Sequence, residues 1–370
     1  MSVYLDYNAT AKIRPAAAAA VSAALEIGAN PSSTHAAGRK ARAVIEAARA
    51  DIAVLAGAAS DAVTFVSGGV EANALAIESA LAAGFQRIII GATEHDAVWA
   101  TAHALATPEI WPVDANGLAD LDWLARALAR GPALVCLMAA NNETGVIQPV
   151  TQAADLVRAA GGWLHVDAVQ AAGKIDIASL GADTLALSAH KIGGPQGVGA
   201  LITGPRARLT ARLHGGGQER GRRSGTENLA GIAGFGAAAR AALGDLAALA
   251  AHAAWRDDLA ERLEDAGAVV LGAEAPRLPQ TLCAATPGFA SEVQVMALDL
   301  AGVMISAGAA CSSGKVKASR VVQAMGRPDL APCSIRVSGG WASSEADWRR
   351  CGDAWLEAFA RHAARIREYA

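Results

Sequence analysis

From residue 14 to about residue 250, short apolar runs alternate with longer stretches whose apolar residues recur at helical spacing. The runs at 62–66, 87–90, 134–138, 163–167, 184–187 and 198–202 predict strands, bounded by glycine, aspartate and asparagine. Between them, 39–55, 71–83, 118–129 and 153–160 predict helices. Strands alternating with helices in this way build βαβ units around a mostly parallel sheet. Residues 237–265 read as one long Ala/Leu-rich helix, a connector to the C-terminal part of the chain. Beyond it, strands at 280–284 and 334–337 and helices at 293–300 and 344–366 predict a smaller α+β unit.

Composition narrows the function classes. The chain has 370 residues, 53% of them apolar and 18% charged, which suits a large buried core rather than a disordered chain. A formal net charge of −3 supplies no basic footprint, so no nucleic-acid partner is expected. No apolar run reaches the roughly 18 residues of a membrane helix. The start, Met1-Ser2-Val3-Tyr4-Leu5-Asp6, lacks the basic and apolar regions of a signal peptide. Five scattered cysteines without CxxC spacing predict free thiols, no metal centre and a reducing, cytoplasmic setting. Cys136, Cys283 and Cys333 lie in strand-like runs and Cys351 on a helix, positions that read as structural. Cys311 stands apart, among small and polar residues.

In an open α/β sheet, ligands bind beyond the carboxyl ends of the strands, and several of those ends here are polar. Ser67-Gly68-Gly69-Val70 opens a helix, where free N–H groups and the helix dipole suit a phosphate, although many β–α turns look alike. His95 follows the 87–90 strand and could stack on a ring, move a proton or simply hold a loop. Asn141-Asn142 could donate to a ligand oxygen or make a turn. Asp167 ends a strand that reads as buried, where a carboxylate needs a partner: a protonated ring nitrogen or backbone N–H groups. Lys191 closes a further apolar run, in Ser188-Ala189-His190-Lys191. In an apolar pocket its amine would be a nucleophile toward a carbonyl. A phosphate cup, an aspartate, a histidine and an amine are together the parts that hold pyridoxal phosphate.

With these residues in view, the chain resembles the cysteine desulfurases of the class V aminotransferase-like family nearly end to end. The resemblance is carried by Tyr4-Leu5-Asp6-Tyr7-Asn8-Ala9-Thr10, Asn30-Pro31-Ser32-Ser33-Thr34-His35, Glu94-His95, Asn141-Asn142-Glu143 and His165-Val166-Asp167-Ala168. It continues through Ser188-Ala189-His190-Lys191, Gly216-Gly217-Gln218-Glu219, Arg223-Ser224-Gly225-Thr226-Glu227-Asn228, Gly308-Ala309-Ala310-Cys311-Ser312-Ser313 and Ser334-Ile335-Arg336. The stretch around Cys311 looks like the branch with an extended catalytic-cysteine loop.

The resemblance implies an α/β, fold type I pyridoxal-phosphate transferase. Residues 14–250 would form the large domain, and residues 1–13 with 251–370 a small α+β domain carrying the cysteine loop. It implies that Lys191 forms the internal aldimine, Asp167 pairs with the pyridinium nitrogen and His95 stacks on the ring and serves as a candidate proton acceptor for Cys311. Asn142 and Gln170 would contact ring substituents. Gly69, Val70, Ser188 and His190 would hold the phosphate, with Thr226 reaching in from the other subunit of a homodimer. Arg336, aided by Asn142, would bind the carboxylate of L-cysteine. Cys311 would receive the sulfur as a persulfide, releasing alanine, and pass it to a sulfur-acceptor or scaffold protein for iron–sulfur or other cofactor assembly. No resident metal is expected; for Cys311 the resemblance implies at most transient iron–sulfur ligation. Two departures stand out. Val70 occupies a position usually held by threonine, which removes one hydroxyl donor to the phosphate, and Ala318 stands where many relatives have proline. A transaminase, a selenocysteine lyase and a non-catalytic docking protein on the same fold remain alternatives.

Overall fold

The computed structural model describes residues 2–307 and 318–369, with side chains through Arg365. Cys311 and its immediate neighbours lie outside the described residues. A seven-stranded sheet forms the centre, in the order Val63–Val66, Gly199–Thr203, Thr184–Ser188, Trp163–Asp167, Leu134–Met138, Ile88–Gly91, Glu109–Trp111. Neighbours run parallel except at Gly199–Thr203, which is antiparallel to both of its partners. Buried on both sides, Leu134–Met138 is an unbroken apolar run, as parallel strands under two helical layers commonly are, whereas Trp163–Asp167 and Thr184–Ser188 carry buried polar residues between their apolar ones. Side chains alternate between the two faces. Ile88, Ile90, Leu134 and Cys136 pack with Ile77 and Val98 of the helices Gly69–Ala82 and Asp96–Leu105. Ile89, Val135 and Leu137 pack on the other face with Leu124 and Val157 of Leu121–Leu128 and Val150–Ala159.

A four-stranded antiparallel sheet, in the order Ser306–Ala307, Ser334–Ser338, Thr281–Ala285, Val269–Val270, carries a separate apolar core with His252–Asp265, Ser291–Leu300 and Glu345–Tyr369. The start of the chain belongs to this core. Val3–Tyr4 pairs in parallel with Val303–Met304, and Val3 and Leu5 pack with Trp348 and Trp355. That pairing delivers the next residues, Asp6 to Thr10, into the cleft between the two sheets. There the Asn8 N–H donates to Ser338 Oγ at 3.0 Å while the Asn8 carbonyl faces Lys191.

The connector differs from its expected form. In place of one helix over 237–265 there are three: Leu229–Gly244, Leu246–Ala250 and His252–Asp265, with a 60° bend after Gly244. Gly244 is a weak helix former, and Asp245 turns its carboxylate to an ion pair with Arg14 instead of continuing the helix. The first helix starts earlier than expected because the Asn228 side chain caps it, accepting from Gly231 N–H at 3.0 Å. Its glycines let it press on neighbours: a Cβ at Gly236 would lie 2.7 Å from the Ala48 backbone. The hydrophobic pattern also leaves unmarked the helices Pro15–Leu25 and Asp96–Leu105 and the short strand Glu109–Trp111. Cys333 sits in a 3-10 turn just before the Ser334–Ser338 strand rather than within a strand. No single helix among the described residues is long and apolar enough to cross a membrane.

Candidate active site

The Val63–Val66 strand runs through Ser67 and Gly68 into the helix Gly69–Ala82. No side chain caps this helix, so its first-turn N–H groups and positive dipole end are available to an anion. Glu71 folds back to accept from Ser67 N–H at 2.7 Å and is clamped by Arg223 Nε at 3.0 Å. A Cβ at Gly69 would sit 2.9 Å from Val169 Cγ2, so a side chain here would have to displace that methyl. The same point lies 3.7 Å from Ser188 Cβ, which places Ser188 beside the turn. Val70 presents a 63% exposed side chain at the mouth of this cradle. His190, two residues past Ser188, bonds Thr10 Oγ1 through Nδ1 at 2.7 Å.

Asp167 ends its strand beside this cradle and is 5% exposed. Its Oδ1 accepts from Val169 N–H at 3.0 Å and its Oδ2 from Asn73 Nδ2 at 2.8 Å. Glu94 is also buried, and burial together with the charge of Asp167 lifts it to about 8. At neutral pH Glu94 is therefore held toward its uncharged acid form. His95 caps the Asp96–Leu105 helix, its Nδ1 accepting from Ala97 N–H at 3.0 Å. Burial holds the ring below its ordinary value, and with Nδ1 occupied the proton of the neutral ring rests on Nε2.

Lys191 lies in a 3-10 turn after the Thr184–Ser188 strand, and its Nζ donates to the carbonyls of Asn8 at 2.6 Å and Ala9 at 2.8 Å. Asn8 is the hub of the cleft. Its carbonyl also accepts from Gln170 Nε2 at 2.9 Å, and its amide donates to Thr281 Oγ1 at 3.0 Å and the Asn142 carbonyl at 3.2 Å. Gln170 Oε1 accepts from the buried Lys174 at 2.6 Å. From the four-stranded sheet, Arg336 pairs with Asp6 at 2.7 Å through Nη2 and donates to the Asn142 carbonyl at 3.2 Å through Nη1. Its Nε is buried without a partner among the described residues, a donor left over for a ligand oxygen.

Residues 3–349 match the aminotransferase class-V family. The chain belongs to that family. It is 44% identical over 347 residues to a cysteine desulfurase of Cereibacter sphaeroides, covering 89% of this chain and 88% of the relative. Among solved structures, an X-ray structure of a NifS-like protein from Rickettsia africae ESF-5 superposes with a TM-score of 0.89 at 31% identity, covering 97% of this chain and 100% of the other. The structure described as SspA in complex with cysteine superposes at 0.78 with 26% identity, covering 91% and 98%. Class-V proteins are in general pyridoxal phosphate enzymes, and the residues present fit such a group. The uncapped helix end suits its phosphate, the buried Asp167 suits its ring nitrogen, and Lys191 stands as the amine.

The geometry brings Gly69, Ser188, His95, Asp167, Gln170, Asn142, Lys191 and Arg336 to one cleft of this class-V chain, with Val70 at its open helix end and His190 bonded to Thr10. Thr226 is exposed on the surface of the single chain. Asp6, Asn8, Asn73 and Glu94, which lie within the motif stretches but were given no role, join the cleft, as does Lys174. For Asp6 and Asn8 the available signal was two polar residues directly after an apolar strand; for Lys174 it was spacing of four from Gln170. The surroundings also set an acid limit. Burial holds His165, His190 and His252 each near 4, against an ordinary 6.5. The folded chain refuses protons there that the unfolded chain accepts, so this contribution to stability is intact above about pH 6.5 and is lost as pH falls toward 4. Glu94 works the other way, withdrawing stability as pH rises from 4.5 to about 8. With His95 shifted the same way, four imidazoles oppose Glu94 where the windows overlap. The thermal midpoint is therefore expected to drop between pH 6.5 and 4.5, and a flat or rising midpoint in differential scanning calorimetry would contradict the burial of these imidazoles.

Proposed function

We propose that this chain is a pyridoxal-phosphate-dependent cysteine desulfurase. It takes sulfur from L-cysteine, releases L-alanine and leaves a persulfide on Cys311 for transfer to an acceptor protein. The observation that carries the reading is the meeting of Lys191, Asp167, His95 and the open helix end of Gly69 in one cleft, faced by Arg336, in a chain so similar to a cysteine desulfurase.

Bound pyridoxal phosphate supplies the electron sink for bond changes at the substrate α-carbon. Lys191 Nζ is the amine that would hold this group, and it would take the substrate α-proton. Asp167 would pair with the ring nitrogen and favour its protonated form. Arg336 receives the substrate carboxylate through Nε, while Asp6 balances its charge and holds the guanidinium plane still. His95, with its proton on Nε2, faces the ligand as a donor; to take the Cys311 proton it would have to give up its helix cap. The Cys311 thiolate attacks the substrate sulfur. One S–S bond forms and the Cβ–S bond breaks, so a thiol and cysteine become a persulfide and alanine with no external oxidant. Thr226 completes the phosphate site across a homodimer. The test is stoichiometry: with a thiol reductant present, cysteine should yield alanine and sulfide in equal amounts. Release of pyruvate or another keto acid, or alanine without sulfide, would sink the reading.

Val70 makes the cofactor end weaker than it could be. Val70→Thr restores a hydroxyl at the open helix end, a charge-assisted hydrogen bond that by usual magnitudes tightens binding ~10-fold or more. Slower loss of pyridoxal phosphate on dialysis is the expected result. Unchanged loss would mean the helix N–H groups already saturate the phosphate.

A further inference from the structure

Behind Asp167 lies a buried line of polar groups that the reaction scheme leaves unused. Trp163, His165 and Asp167 alternate along one strand, so all three side chains share a face. Thr184 stands opposite His165 on the neighbouring strand, and Asn73 comes from the helix Gly69–Ala82. Trp163 Nε1 lies 3.2 Å from Thr184 Oγ1, Thr184 Oγ1 is 3.0 Å from His165 Nδ1, His165 Nε2 is 2.8 Å from Asn73 Oδ1, and Asn73 Nδ2 is 2.8 Å from Asp167 Oδ2. Asn73, His165 and Thr184 are each at most 1% exposed.

Both ends of this line have a fixed sense. An indole N–H can only donate, and an ionised carboxylate can only accept. Asn73 must therefore turn its NH2 to Asp167 and its oxygen to His165. His165 must then carry its proton on Nε2, leaving Nδ1 to accept from the Thr184 hydroxyl, whose oxygen accepts from Trp163. Every link points the same way. Resting on the function proposed above, we propose that Trp163, Thr184, His165 and Asn73 form a one-way hydrogen-bond chain that presents Asp167 to the ring nitrogen of pyridoxal phosphate as a fixed, ionised acceptor. These are positioning residues, acting through Asp167. Should the line reverse, Asn73 would turn an oxygen toward the carboxylate. Asp167 would then hold a proton toward Asn73 and lose its preference for a protonated ring nitrogen. Burial keeps His165 neutral, so no imidazolium competes with the pyridinium for Asp167.

The test compares pyridoxal phosphate with 1-deazapyridoxal phosphate, which has a carbon in place of the ring nitrogen. Binding to the cofactor-free protein is followed by quenching of tryptophan fluorescence. Wild type should prefer pyridoxal phosphate. Asn73→Leu should cut that preference about tenfold, the usual value of one charge-assisted hydrogen bond. Thr184→Val keeps shape and volume and should move it in the same direction by a smaller factor. Equal weakening toward both ligands would mark the line as core packing only, and an unchanged preference in both variants would refute it. Failure of the wild type to bind either ligand would instead refute the cofactor reading itself, and this inference with it. As a direct check on sense, 15N-histidine spectra of the wild type should show His165, assigned with His165→Gln, protonated on Nε2. A proton on Nδ1 would overturn the proposal. Thr184→Val reports even if Asn73→Leu does not fold.

Discussion

Lys191→Ala is expected to abolish desulfuration, lowering turnover by ~10³-fold or more, since it removes both the covalent anchor and the proton acceptor at the α-carbon. The direct measurement is borohydride reduction of the loaded protein followed by peptide mass spectrometry. Wild type should carry pyridoxyl on Lys191, and the variant should carry none. The neighbourhood makes this outcome strict, because a second lysine lines the same cavity. Lys174 could in principle substitute, but its Nζ donates to Gln170 Oε1 at 2.6 Å and Asn8 Oδ1 at 3.4 Å, and it is 8% exposed. Its acceptors are neutral, and burial with the charges of Lys191 and Arg336 holds it well below the usual lysine range. It is therefore tied into the cleft wall, where it orients Gln170. An adduct on Lys174, or an unchanged cofactor absorbance in the variant, would overturn the assignment of Lys191.

The legible parts of this chain were those where one physical requirement dominates. Strands buried on both faces are mostly apolar, so 134–138, and 163–167 through Trp163, Leu164 and Val166, are readable without neighbours. Strand ends facing a ligand carry polar residues, so Asp167, His95 and Lys191 stand out. Features decided by tertiary contact stayed hidden. The bend after Gly244 depends on Arg14 drawing Asp245 away, and Arg14 lies more than two hundred positions distant in sequence. The helix at Asp96–Leu105 was obscured because its cap is a histidine, which reads first as chemistry. Asn8 becomes a hub only because the Val3–Tyr4 strand is stitched to Val303–Met304, a pairing no local pattern announces. The line from Trp163 to Asp167 was half visible, as alternate residues of one strand. Its remaining members, Thr184 and Asn73, needed the sheet and the helix to bring them in.

Cys311→Ala separates the two halves of the chemistry. The variant is expected to retain the cofactor absorbance and its change on adding cysteine, because Lys191, Asp167 and Arg336 are intact. It should release no sulfide, and no protein species one sulfur atom heavier should form. The other cysteines cannot rescue it. Cys136, Cys283, Cys333 and Cys351 are all buried. Burial pushes the thiols of Cys136 and Cys283 well above the usual range and that of Cys351 to about 12, so none of these three supplies a thiolate at neutral pH. Cys333 lies in a 3-10 turn, and its carbonyl accepts from the buried Gln294 Nε2 at 2.9 Å beside the four-stranded sheet. Downstream of Cys311, the chain is fastened at the cleft. Ser319 donates to Glu143, next to Asn142, at 2.5 Å, and Arg320 donates to the Glu94 carbonyl at 2.7 Å and to Asp96 at 3.0 Å, on either side of His95. Those contacts anchor Ser319 and Arg320, a short way along the chain from Cys311, beside the two strand ends that carry His95 and Asn142. Sulfide release by Cys311→Ala at the wild-type rate would move the sulfur chemistry to another group and leave only the cofactor half of the proposal standing.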